Sequence, residues 1–137
     1  MIGIFQIDKL QAKRLLAQEY ANLTVAQRDR MDRAIRLSSL YAVFNDGVLI
    51  AIWGTYANTI LSDEITIWLH VTANFKGLEF SFIRHSQIVT QRLLQQYTRL
   101  VGICEQDNRK AQRWLKWLGA RFDEGDPKPF VIERQHG

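Results

Sequence analysis

The stretch DNRKAQRWLKWLGARF, residues 107–122, decides how the chain is read. Asn108 carries the short side-chain oxygen of an N-cap, able to accept the orphan N–H groups of a first helical turn. Behind it Trp114, Leu115, Trp117 and Leu118 fall at helical spacing among Arg109, Lys110, Arg113 and Lys116. Gly119 stands where a left-handed residue closes a helix, and a strand resumes at Arg121–Phe122.

Working outward, RLVGICE reads as a buried strand, with Cys104 one of its buried residues. Residues 80–97 set Phe82, Ile83, Val89, Leu93 and Leu94 on one helical face. ITIWLHV at 65–71 alternates Ile65, Ile67, Leu69 and Val71 against Thr66, Trp68 and His70, a strand covered on both faces. YAVFNDGVLIAIWGTY holds two apolar runs around Asn45-Asp46-Gly47, the residue chemistry of a tight hairpin that needs positive φ. Thr24 is placed to cap a helix through about Leu37, with Met31 and Ile35 in its core stripe. A short amphipathic helix over 7–20 begins near Asp8, and IGIFQI is a candidate first strand. Arg121–Asp123 and Phe130–Glu133 form a last hairpin across GDPKPF. The alternation predicts an α/β (α+β) fold in one domain spanning 1–137. Its central sheet is mixed and mostly antiparallel, with helices on both faces.

Composition narrows the function classes. With 47% hydrophobic and 23% charged residues the chain has the balance of a soluble globular protein. No apolar run approaches the ~18 residues of a membrane span, and MIGIFQIDKL lacks the pattern of a secretory signal. A single cysteine excludes an internal disulfide and suits a reducing cytoplasm. The net charge of +4 permits a nucleic-acid or acidic partner without requiring one. Arg28, Arg30, Arg33 and Arg36 are interleaved with acids, and Asp29–Arg33 and Asp32–Arg36 at i,i+4 predict a self-paired face. The basic residues of 109–116 have no acid on their helix and are the better candidate for a phosphate-facing surface, a solvated face being the plainer reading. Trp53, Trp68, Trp114 and Trp117 read first as core fillers. Trp114 and Trp117, flanked by Arg113 and Lys116, cannot both be central, so one of the two is a candidate contact for a partner. No metal-ligand spacing, Walker motif or Ser/His/Asp arrangement is present.

The pattern Asn108-x-x-Ala111-x-x-Trp114-Leu115-x-x-Leu118-Gly119-Ala120 resembles the last helix and following strand of the GNAT superfamily of N-acetyltransferases. The resemblance implies that fold over nearly the whole chain, acetyl-CoA as cofactor and an amine as acceptor. It also implies a pyrophosphate loop of the form Arg/Gln-x-x-Gly-x-Gly/Ala before a helix N-terminus. Here Asn74, Lys76, Gly77 and Glu79 occupy that stretch. Asn74 replaces Arg or Gln, Gly77 matches the first glycine, and Glu79 brings a carboxylate where a small residue belongs, with Lys76 in partial compensation. Asn108 completes this cofactor set. The tyrosine that would protonate the departing thiolate is replaced by Leu115, which has no proton to give. Glu64 and His70, on the fourth strand, are the general-base candidates by position; His85 and His136 are the other histidines.

The short length, the degenerate loop and the basic Asn-x-x-Ala helix are similar to a narrower group, the small GNAT-like or internal virion protein A proteins of short-tailed phages. That resemblance implies an accessory or virion-assembly role without cofactor. The partner would be another protein, of the phage particle or its host, met through Arg109, Arg113, Trp114, Lys116 and Trp117. The setting would be the host cytoplasm or the virion, with nucleic acid a lesser candidate and no membrane. The alternative is an active acetyl-CoA-dependent N-acetyltransferase.

Overall fold

The computed structural model describes residues 2–57, 59, 61–72, 74–75, 80–106 and 108–134, the side chains of Phe80 and Ser81 excepted. Its elements run β1 (Ile2–Ile7), α1 (Lys9–Leu15), α2 (Ala17–Tyr20), α3 (Val25–Leu37), β2 (Ser39–Asn45), β3 (Val48–Tyr56), β4 (Glu64–Val71), α4 (Phe80–Gln96), β5 (Arg99–Cys104), α5 (Arg109–Trp117), β6 (Arg121–Phe122) and β7 (Lys128–Glu133). The strands form one seven-stranded sheet in the order β1-β2-β3-β4-β5-β7-β6. It is mostly antiparallel. β4 and β5 are parallel and joined through α4, because parallel neighbours need a long crossover. By internal contacts the chain divides into two compact units, Met1–Tyr56 with Trp68–Phe75 and Ala57–Ile67 with Lys76–Gly137.

In the first unit, local chemistry starts the helices where the sequence places them. Asp8 caps α1 and Thr24 caps α3, each in a reciprocal capping box with the glutamine three residues on, Gln11 and Gln27. The helix expected over 7–20 is divided into α1 and α2 at Leu16 (φ −96°, ψ 4°), whose side chain remains in the core at 1% exposure. The β2–β3 hairpin turns through Asp46 (φ 50°) and Gly47 (φ 80°), the left-handed pair that the Asn-Asp-Gly sequence supplies. β1 pairs antiparallel with β2 from Ile2↔Asn45 to Ile7↔Leu40. Ala12, Leu16, Ile35, Leu40, Ala42 and Ile52 form the core, with Trp68 packed against it. Burial of each Leu or Ile there stabilises by roughly 1.5–3 kcal/mol relative to exposure. A Cβ at Gly54 would lie 2.7 Å from Trp68 Nε1, so only glycine lets the indole rest on β3 and donate to Ser38 Oγ at 2.8 Å.

The helix-surface pairing expected on α3 is replaced. Asp32 Oδ1 accepts from the Tyr20 hydroxyl at 2.7 Å, and Arg28 Nε donates to the Tyr20 carbonyl at 2.8 Å. Neither Asp29–Arg33 nor Asp32–Arg36 forms an ion pair among the described residues. Burial and then the hydrogen bond to Asp32 push the Tyr20 hydroxyl pKa well up.

In the second unit, β4 runs beside β5 from Glu64↔Arg99 to Thr66↔Val101, and β5 pairs antiparallel with β7 from Arg99↔Glu133 to Cys104↔Lys128. Gly102 is fixed by sterics. A Cβ there would sit 2.4 Å from the Ile67 carbonyl oxygen and 2.7 Å from the Phe130 ring. Phe82, Leu100, Trp114, Leu115, Phe130 and Ile132 are buried in this unit. The C-terminal carbonyls of α4 are met by the Arg134 guanidinium, which donates to Leu94, Gln95 and Tyr97.

Candidate functional site

Successive side chains of a strand alternate, so Trp68 and His70 leave β4 on the same side. His70 Nε2 lies 3.8 Å from Glu19 Oε2 on α2. That distance is too long for a hydrogen bond, and the buried Nε2 has no hydrogen-bond partner. Burial lowers the His70 pKa below its usual 6.5, and the Glu19 carboxylate only partly opposes this. Burial thus favours the uncharged imidazole, the state a general base requires. Nothing in the sequence signals Glu19, because the pair depends on where α2 is laid against β4.

Glu64, the other base candidate, is engaged. Its carboxylate meets Arg99 Nη2 at 3.1 Å, across the Glu64↔Arg99 register position, and its backbone is tied to the Ser62 hydroxyl. The end of β4 is anchored by Thr72, whose Oγ1 donates to the Leu49 carbonyl at 2.8 Å. Asn74 follows, exposed, with its N–H on Thr72 Oγ1 and its amide at the limit of reach of the same carbonyl. Lys76, Gly77 and Glu79 of the expected pyrophosphate loop lie outside the described residues, as does His136. His85 on α4 is held below its usual pKa by partial burial and then by Arg92.

Asn108 does what its position in the sequence requires: Oδ1 accepts from Ala111 N–H at 3.2 Å and starts α5. Gln112 Nε2 holds the preceding loop through the Glu105 and Gln106 carbonyls. Cys104 is buried beside the Glu105 carbonyl, a structural setting. The α5 tryptophans separate. Trp114 is 8% exposed and donates from Nε1 to Ser86 Oγ at 2.9 Å, while Trp117 is 50% exposed. Leu115, in the expected tyrosine slot, is buried at 4%. Arg109, Lys110, Arg113 and Lys116 are all exposed. Gly119, at φ 100°, closes the helix, donating to the Lys116 carbonyl.

A groove of about 620 Å³ lies between the second half of α4, the end of α5 and β7, with Trp117, Leu94 and Ile132 among its lining residues. Sequence reasoning found Trp117 but missed the other wall, a row of glutamines whose surface position a helical pattern treats as ordinary solvation. Among the described residues no group of His, Cys, Asp and Glu is placed to hold a metal ion, and no helix is long and apolar enough to cross a membrane.

Solved structures share this fold. An IAA acetyltransferase from Bacillus cereus matches with a TM-score of 0.70 at 12% identity, over 98% of this chain and 100% of its own. An acetyltransferase of the GNAT family from Streptococcus pneumoniae matches with a TM-score of 0.63 at 10% identity, over 100% of both chains. An N-acetyltransferase from Campylobacter jejuni matches with a TM-score of 0.58 at 13% identity, over 98% of this chain and 99% of its own. No family model and no curated protein matches the sequence. The fold is that of the GNAT acetyltransferases, as the Asn108–Ala120 pattern implies. Fold alone does not carry the activity.

Proposed function

We propose that this GNAT-type fold acts as a binding scaffold and not as an acetyl-transfer catalyst. On this reading the chain is an accessory or assembly protein of the short-tailed-phage type, and its partner is another protein of the particle or the host. The observation that carries the proposal is Leu115: the position from which a tyrosine would protonate a departing thiolate holds a buried hydrocarbon side chain. Glu64 adds to it, since its carboxylate is committed to Arg99. Asn108 offers its oxygen to its own helix. At the leaving-group end the described residues therefore place a hydrocarbon side chain where acetyl-CoA turnover would use an acid.

Isothermal titration with acetyl-CoA, paired with a CoA-release assay over a panel of amines, tests this. The expected outcome is no release of CoA. Micromolar binding with turnover on any amine overturns the scaffold reading.

One observation favours the second reading, an acetyl-CoA-dependent N-acetyltransferase. His70 is a partly buried imidazole whose environment favours the uncharged form, with an unpartnered Nε2 near a carboxylate, an arrangement in which a base can take a proton from an amine while Glu19 stabilises the imidazolium. On that reading His70→Gln abolishes turnover. Turnover that survives in His70→Gln removes His70 from the role.

A further inference from the structure

The groove beside Trp117 has a composition that points to one kind of occupant. Its α4 wall presents Gln87, Gln91 and Gln95, all exposed and four residues apart. On a helix rising ~1.5 Å per residue, such side chains recur every ~6 Å. An extended chain repeats its outward peptide groups every second residue, at roughly 6.6–6.8 Å. A glutamine amide carries both donor and acceptor, the complement of a peptide C=O and N–H. The row therefore matches the backbone of an extended peptide. The opposite wall supplies Trp117, half exposed, a surface for one large side chain, and α4 adds Leu94 to the lining.

Charge sets the rest. Neither α4 nor α5 contains an acidic residue, yet between them they carry Arg84, Arg92, Arg109, Lys110, Arg113 and Lys116. None of these is ion-paired among the described residues. Lys110 and Arg113 precede Trp117 by two turns and one, on its own face. Inside the groove the formal balance is neutral, with one acid, Glu133, against one base, Arg134. Positive charge from Lys110 and Arg113 beside Trp117, next to a groove wall of uncharged amides, suits an acidic peptide.

We propose that this groove binds an extended acidic segment of a partner protein, with one aromatic or large apolar side chain set against Trp117. The proposal rests on the binding-scaffold reading and names the chemistry of its partner. The test uses the full chain and fluorescence anisotropy with three labelled probes: a random copolymer of glutamate and tyrosine, polyglutamate, and oligo-dT. The copolymer is expected to bind saturably, more tightly than the other two and more weakly as salt rises. Trp117→Ala, a surface change, is expected to lower its affinity about tenfold, the loss typical of an interface aromatic. Gln91→Ala and Arg113→Gln are each expected to lower it severalfold, with circular dichroism confirming that every variant is folded. Absence of copolymer binding, or binding untouched by Trp117→Ala and Arg113→Gln, overturns the proposal. Tighter binding of oligo-dT than of the copolymer overturns it in favour of nucleic acid. Acetyl-CoA turnover is scored separately, so a failed groove and a failed scaffold reading are told apart.

Discussion

Trp114 and Ser86 offer the sharpest test of how α5 is locked to α4. Trp114 Nε1 donates to Ser86 Oγ at 2.9 Å, and the same hydroxyl donates to the Ile83 carbonyl at 2.8 Å. With the Trp114 residue only 8% exposed, Ser86→Ala leaves its indole N–H in the protein interior without that partner. Stranding a buried donor costs about 1–3 kcal/mol, while alanine returns at most ~0.7 kcal/mol of helix propensity. The net loss is between about 0.3 and 3 kcal/mol, a fall of roughly 1–10 °C in Tm for a chain of this size. In a Trp114→Phe background there is no N–H to strand. Ser86→Ala should then cost nothing, or stabilise by up to ~0.7 kcal/mol. Trp114→Phe alone destabilises, by leaving a gap beside Phe82, whose ring centroid is 5.8 Å away. Urea unfolding of the four proteins, followed by circular dichroism, measures the cycle. If Ser86→Ala costs the same in both backgrounds, to within about 0.3–0.5 kcal/mol, the hydrogen bond contributes nothing and the reasoning fails.

Asn108→Ala should destabilise by about 1 kcal/mol through loss of the α5 cap, while Asn108→Asp keeps the acceptor and most of the stability, both read from urea midpoints. Gly102→Ala should cost about 1–3 kcal/mol or more, because the added methyl meets the Ile67 carbonyl at 2.4 Å. Phe130→Leu removes the ring contact but not the backbone one, so full rescue by that second change would refute the carbonyl argument. For pH, His70 and His85 both have folded pKa values below 6.5, so the unfolded chain takes up protons first as pH falls. Their contribution to stability is complete above about pH 6.5 and is lost as pH drops towards the folded values. His70→Gln should flatten the dependence of the urea midpoint on pH between about pH 7 and pH 5.5, and an unchanged slope would show that His70 titrates normally.

The features legible in the sequence are those settled within a few residues of one another. Thr24 and Asn108 start helices because a cap needs only an oxygen and the N–H three residues on. Asp46-Gly47 and Gly119 turn the chain because positive φ is a property of the residue itself. The periodicities of 65–71 and 80–97 were enough for β4 and α4, and the order of elements with the Asn108 helix was enough for the fold.

Tertiary structure alone decided which side chains meet. Spacing on α3 suggested that Asp32 pairs with Arg36, yet the Tyr20 hydroxyl takes its carboxylate at 2.7 Å, because an exposed arginine gains little from holding its long side chain in one geometry. Sequence left Trp114 and Trp117 equivalent, and the placement of Ser86 on α4 turned one inward and left the other exposed. Glu64 finds Arg99 through the β4–β5 register, and His70 finds Glu19 through the seating of α2. The glutamine row on α4 gains meaning only from Trp117 across a groove. Each of these depends on contacts between residues far apart in the chain, and no local preference encodes their register.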